Sequence, residues 1–143
     1  MSLTTIGTRS VIAVDAATGV LDVARKMKTM SLGSVVVLRD DRPVGIVTDR
    51  DLTVRVLATD NRPDEMKAEE VMSAPLTCVG EHDEPLKAAM LMRESQVRRL
   101  PIVDQTGSLI GIISLDDLMH HLSRTQHEMC EAIASFPVAH HGG

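Results

Sequence analysis

Gly45-Ile46-Val47-Thr48-Asp49-Arg50-Asp51-Leu52 returns 66 residues downstream as Gly111-Ile112-Ile113-Ser114-Leu115-Asp116-Asp117-Leu118. A glycine, two aliphatics, a hydroxyl residue, two variable positions, an aspartate and a leucine recur in the same order, which marks an internal duplication. The pattern has a mechanical meaning. The aliphatic pair ends a strand, Thr48 or Ser114 stands at the N-cap of a helix, and Asp51 or Asp117 falls in that helix's first turn. A hydroxyl, a carboxylate and free backbone N–H groups thus meet at a strand-to-helix corner, where a polar ligand can be held.

The elements around the two copies repeat as well. Ser10-Val11-Ile12-Ala13-Val14 reads as a short strand, and Thr18 as the cap of a helix to about Met30, with Val20, Ala24 and Met27 on its inner face. Val35-Val36-Val37-Leu38 is an unbroken apolar run, as expected of a strand buried on both faces. Asp40-Asp41-Arg42-Pro43 is turn chemistry, Val44 to Val47 a strand, and Asp49 to about Ala58 a helix burying Leu52 and Val56. Thr59 to Asp64 is a linker. Lys67 to Met72 then reads as a lead-in helix, Leu76 to Val79 as a strand, and Asp83 as the cap of a helix with Pro85 in its first turn. Leu100 to Val103 matches Val35 to Leu38, and the Gln105-Thr106-Gly107 turn is one residue longer than its counterpart.

Each repeat is therefore β-α-β-β-α, an α/β (α+β) unit too small to bury a comfortable core alone. The expected arrangement is two pseudo-symmetric repeats, 1–64 and 65–122, packed sheet against sheet, followed by a helical tail over 123–143. On a helix continuing from Asp117 into that tail, Leu118, Leu122, Met129 and Ile133 make an apolar stripe suited to a partner helix, such as that of a symmetry mate. His140-His141-Gly142-Gly143 reads as a frayed terminus.

Composition excludes several classes. The net charge of −5, with acidic and basic residues interspersed, argues against a nucleic-acid binder. With no Trp, no Tyr and the single Phe136, base-stacking platforms are nearly absent. No apolar run approaches the roughly 20 residues of a membrane span. Met1 to Ser10 lacks a signal-peptide layout, and Cys78 and Cys130 form no paired framework, so a cytoplasmic location is expected. His127-Glu128-Met129-Cys130-Glu131 resembles a zinc-protease helix but carries Glu131 where the second His belongs. His120, His121, His127 and Cys130 are more plainly helix-surface residues than metal ligands. No P-loop, dinucleotide fingerprint or activated nucleophile appears, so no catalytic residue is assigned and no enzyme is expected.

Taken together, the doubled Gly-aliphatic-aliphatic-Thr/Ser-x-x-Asp motif, Val97-Arg98-Arg99-Leu100-Pro101-Ile102-Val103-Asp104, and Glu70-Val71-Met72 ahead of Pro75 resemble a tandem pair of CBS domains, the regulatory modules named after cystathionine β-synthase. The resemblance covers about Ser10 to Leu122. It implies a regulatory homodimer that binds an adenosine-containing ligand (AMP, ADP, ATP, NAD or S-adenosylmethionine) in clefts between the repeats and acts on a client protein by changing shape. It implies no catalytic cofactor. Ribose hydroxyls would donate to Asp51 with Thr48 nearby in one cleft, and to Asp117 with Ser114 nearby in the other. The base would lie against Ile12-Ala13 and Thr77-Cys78. Arg98 and Arg99 stand where the family often carries a phosphate-directed cation, while the first repeat has Gly33 and Ser34 there. The two clefts are therefore expected to differ. Because adjacent strand residues face opposite ways, at most one of the two arginines need enter a cleft.

Overall fold

Val35, Val36 and Val37 form the middle of a three-stranded sheet in the computed structural model, which describes residues 1–137. Their strand, β2 (Ser34–Arg39), runs parallel to β1 (Ala13–Asp15) and antiparallel to β3 (Arg42–Thr48). Val35 and Val37 pack into a core with Val20, Val23 and Met27 of helix α1 (Val20–Met30). Val36 is equally buried on the opposite face, toward the second repeat. That two-sided burial is what a continuous valine run supports. Asp40 and Asp41 both adopt left-handed conformations, φ 52° and 62°, and so close the β2–β3 hairpin in two residues. The first repeat ends with α2 (Asp49–Leu52), which continues as a π-helical stretch, Thr53–Leu57.

The second repeat follows the same order. After α3 (Ala68–Val71) come β4 (Val79–Gly80), α4 (Pro85–Ser95), β5 (Arg99–Val103), β6 (Leu109–Ser114) and α5 (Leu115–Ser135). The sheet order is β4-β5-β6, again parallel then antiparallel. Leu100, Ile102 and Ile113 form its core with Ala88 and Met92 of α4 and Leu118 of α5. The architecture is the expected α/β pair with two three-stranded sheets.

Several local expectations are corrected by pairing partners distant in sequence. The opening strand is Ala13–Asp15, not Ser10 to Val14: Ser10 and Val11 border a cleft, and Ile12, which also lines it, keeps one backbone bond to the sheet, its carbonyl accepting the Val36 N–H at 3.1 Å. Gly19, not Thr18, caps α1; the Thr18 carbonyl accepts from the Ala68 N–H at 2.8 Å, and the Val20 N–H donates to the Met66 carbonyl at 2.9 Å. The buried face of α1 uses Val23, while Ala24 is only partly buried. The second repeat's opening strand shrinks to Val79–Gly80. Asp83 accepts the Gly80 N–H at 2.8 Å, leaving Glu84 at the cap position. The expected terminal fraying at His140 to Gly143 falls outside the described residues.

The two cores interleave across the linker. Leu3, in a 3-10 turn at the chain start, is buried in the second repeat's core, whereas Ala68 and Val71 of α3 are buried in the first repeat's core. Each crossing segment runs beside a motif glycine. Thr8 exchanges two backbone hydrogen bonds with Ile112, both 2.9 Å, and Ser73 exchanges two with Ile46, at 2.8 and 3.2 Å. A methyl group on Gly111 would lie 2.5 Å from the Thr8 carbonyl oxygen, and one on Gly45 2.3 Å from the Met72 sulfur. The motif glycines are therefore the places where one repeat's lead-in crosses the other's sheet.

Candidate functional site

The two motif copies build the same corner. Ser114 caps α5: its hydroxyl accepts the Asp117 N–H at 3.0 Å, and Asp117 Oδ2 accepts the Ser114 N–H at 2.8 Å. Thr48 and Asp51 form the matching reciprocal pair at 3.1 and 2.9 Å, with the Thr48 hydroxyl adding a 3.0 Å bond to Asp51. The cap explains one oxygen of each aspartate.

The second oxygen separates the copies. Asp51 is 7% exposed, and its Oδ1 accepts the Ser73 hydroxyl at 3.0 Å with the Arg55 guanidinium 3.7 Å away. The corresponding position to Ser73 is Thr8, whose hydroxyl instead accepts the Ser10 N–H at 3.0 Å. The counterpart of Arg55 is His121. Asp117 is only partly buried, and among the described residues its Oδ1 has no hydrogen-bond partner.

Asp117 lines a cleft of about 310 Å³ between the repeats. Ser10, Val11 and Ile12 form one wall with Ser31, Leu32, Gly33, Ser34 and Val36; Arg99, Ile112, Ser114 and Asp117 form the other. The volume is at the lower end of small-molecule sites. Its lining combines four serines, one guanidinium and one carboxylate with aliphatic side chains, which suits a ligand with an apolar face, hydroxyls and an anionic group. Arg99 is exposed and has no ion-pair partner among the described residues. A larger groove of about 1070 Å³ lies between Met1, Thr5 and α5, and it holds neither motif.

The structure thus brings Ile12, Ser34, Arg99, Ser114 and Asp117 together. The remaining residues singled out from sequence lie elsewhere. Ala13 is within β1, paired with Val36. Arg98 makes a 3.6 Å contact with Asp116 on the open surface, a pair of little energetic weight. Thr48 and Asp51 occupy the other corner, and the Thr77 hydroxyl bonds that of Ser95 at 2.8 Å. Ser10, Ser31 and Val36 were not anticipated at the site. Ser31 ends α1 in a left-handed conformation, φ 53°, and no sequence motif marks it as facing a cleft.

Cys78 is half-buried, and desolvation pushes its thiol pKa up. Cys130 is exposed on α5. At pH 7–8 iodoacetamide is expected to alkylate Cys130 well before Cys78, since the thiolate is the nucleophile and Cys78 holds less of it. Peptide mass mapping against time checks this, and equal rates would contradict the burial of Cys78. Among the described residues, no group of three or more His, Cys, Asp or Glu side chains is placed to hold a metal, so His120, His121, His127 and Cys130 do not converge. No helix of the described chain is long and apolar enough to cross a membrane.

Two interleaved α/β repeats thus enclose a polar cleft between them. The CBS domain profile matches residues 3–58 and 68–124, and the chain belongs to that family. An uncharacterized protein of Methanopyrus kandleri is 38% identical over 120 residues, a match that spans 83% of this chain and 61% of the relative. Inosine-5'-monophosphate dehydrogenase of Methanocaldococcus jannaschii is 38% identical over 112 residues, 78% of this chain but 21% of that enzyme. Among solved structures, a conserved CBS domain protein of Thermoplasma acidophilum superposes with a TM-score of 0.75 at 28% identity, covering 87% of this chain and 71% of that one. A hexameric CBS-CP12 protein from bloom-forming cyanobacteria gives 0.71 at 29% identity, covering 83% and 66%. CBS domains are in general regulatory, nucleotide-binding modules, and proteins that carry them often assemble into oligomers.

Proposed function

We propose that this chain is a regulatory module that binds one adenosine-containing nucleotide in the cleft lined by Asp117 and Arg99. The observation that carries the reading is the uncommitted oxygen of Asp117, a residue that shares its cleft with the Arg99 guanidinium, neither of these groups having a partner among the described residues. A carboxylate accepts from a vicinal ribose diol, and Arg99 is placed to meet phosphate through charge-assisted hydrogen bonds. With Phe136 the only aromatic residue, the base is held between Ile12, Val36 and Ile112 and by backbone groups. Asp51 is already satisfied within the protein, which supports one ligand per chain. Binding across both repeats would favour one arrangement of the halves to the extent that the ligand prefers it, and so signal to a client protein. The same reading makes the protein a non-catalytic, cytoplasmic homodimer.

Titration calorimetry with AMP, ATP, NAD and S-adenosylmethionine tests the proposal. One site per chain is the expected stoichiometry. Arg99→Ala should weaken the phosphorylated ligand about tenfold while leaving adenosine itself little changed, from the size of a charge-assisted bond. No heat and no shift in melting temperature with any of the four would favour a second reading, a structural dimerisation module acting through α5. The exposed apolar side chains of that helix are the observation behind it.

A further inference from the structure

The outer part of α5 carries an apolar seam left uncovered by the described residues. Met119, Leu122, Met129, Ile133 and Phe136, the last at the helix's C-terminal boundary, are 51–74% exposed. With Gln126 between them they follow a 3-4-3-4-3 spacing, the seam of a coiled coil. The family match ends at residue 124, so most of the seam lies beyond the repeat pair. Projecting helical segments of this length are marginal in water unless an apolar face is covered.

We infer that a second copy of this helix covers the seam, antiparallel, about a twofold axis between His127 and Glu128. Charge selects the occupant. The positions flanking the seam are Ser123, Thr125, Cys130 and Ala132, all small and neutral, while Arg124 and Glu131 lie on the opposite face. Self-pairing therefore brings no like charges together, and a charged foreign helix would find no complement along the flanks. Size agrees with charge, because small flanking residues allow two identical backbones to approach closely. The antiparallel arrangement also matches the seam to itself. Met119 meets the partner's Phe136, Leu122 meets the partner's Ile133, and Gln126 meets the partner's Met129, with the two helix dipoles opposed. Gln126 is the polar position that fixes this register. The inference rests on the homodimer part of the proposed function and is independent of nucleotide binding.

Sedimentation equilibrium of the full chain tests it. The double variant Met129→Glu/Ile133→Glu is expected to raise the dimer dissociation constant about a hundredfold or more, since seam-centre side chains dominate such interfaces. Both residues lie outside the two cores, so the thermal melt of the repeats should be retained. Arg124→Ala, on the opposite face, should leave the dimer unchanged. For orientation, a nitroxide on Ser135→Cys in a Cys130→Ser background should report pairs separated by about 22 Å along the axis, from a rise of 1.5 Å per residue. A pair near the interhelical distance of about 10 Å would overturn the antiparallel arrangement. A dimer untouched by the glutamates would overturn the seam while leaving the homodimer reading standing. A wild-type chain that stays monomeric at every concentration would overturn both.

Discussion

Asp117→Ala is expected to weaken nucleotide binding about tenfold or more at a stability cost of about 1 kcal/mol, the usual worth of a lost helix-cap contact. Asp51→Ala is expected to do the reverse, leaving affinity unchanged while costing about 2 kcal/mol or more. The motifs are twins, so the difference must come from their neighbours. Asp117 gives one oxygen to its own helix cap, lines the cleft, and keeps its other oxygen without a hydrogen-bond partner among the described residues. Asp51 gives one oxygen to its cap and the other to Ser73, which sits on the segment crossing from the second repeat, with Arg55 behind it. Removing Asp51 therefore breaks a buried, charge-assisted tie between the repeats and strands the Ser73 hydroxyl, which is half-buried. Calorimetry and urea unfolding of the two variants provide the check. Equal loss of affinity in both, or two nucleotides bound per chain, would mean that Ser73 yields its place to ligand and that the clefts are equivalent.

Gly111→Ala should destabilise the fold by about 2 kcal/mol, and more than Gly45→Ala does, by the usual scale of overpacking. At Gly111 the added methyl meets the Thr8 carbonyl oxygen at 2.5 Å, and that backbone is fixed by its paired hydrogen bonds to Ile112. At Gly45 the obstacle is the Met72 side chain, whose sulfur lies 2.3 Å from the added carbon. A thioether with three rotatable bonds can swing aside where a hydrogen-bonded carbonyl cannot. The Gly111 variant should also free the chain start, because Thr8 and Leu3 belong to one crossing segment. Urea midpoints compare the two costs, and faster proteolysis between residues 1 and 10 would report the release. Equal midpoints would show that the Thr8 crossing gives way as readily as a side chain.

The duplication was legible because both copies are local strings. A strand-ending aliphatic pair, a hydroxyl and an aspartate three residues later specify a capped helix wherever they occur. The valine run likewise announced a strand buried on both faces, and the apolar spacing of Leu118, Leu122, Met129 and Ile133 announced the long last helix, although Leu118 turns into the second repeat's core while the other three are exposed. Local strings were poorer guides where the satisfying partner is remote. Thr18 lost the cap role because its carbonyl engages Ala68, and Ser10 and Val11 lie outside the strand, where the cleft begins. Of the candidate site, Ser114 and Asp117 were readable from the motif and Arg99 from its place before Leu100-Pro101. Ser31 was not, since only the turn after α1 carries it to the cleft.

By itself the sequence determined the repeat, the order of its elements, the helix-capping aspartates and the family to which the chain belongs. Only the tertiary structure decided that the lead-in segments exchange cores, that Arg99 rather than Arg98 faces the cleft, and that Asp51 is occupied while Asp117 is open. The physical reason is that a carboxylate's second oxygen is spent or spared by whatever residue the fold brings beside it. Ser73 reaches Asp51 from 22 residues away, Thr8 turns to Ser10 instead of Asp117, and nothing within either motif records the difference.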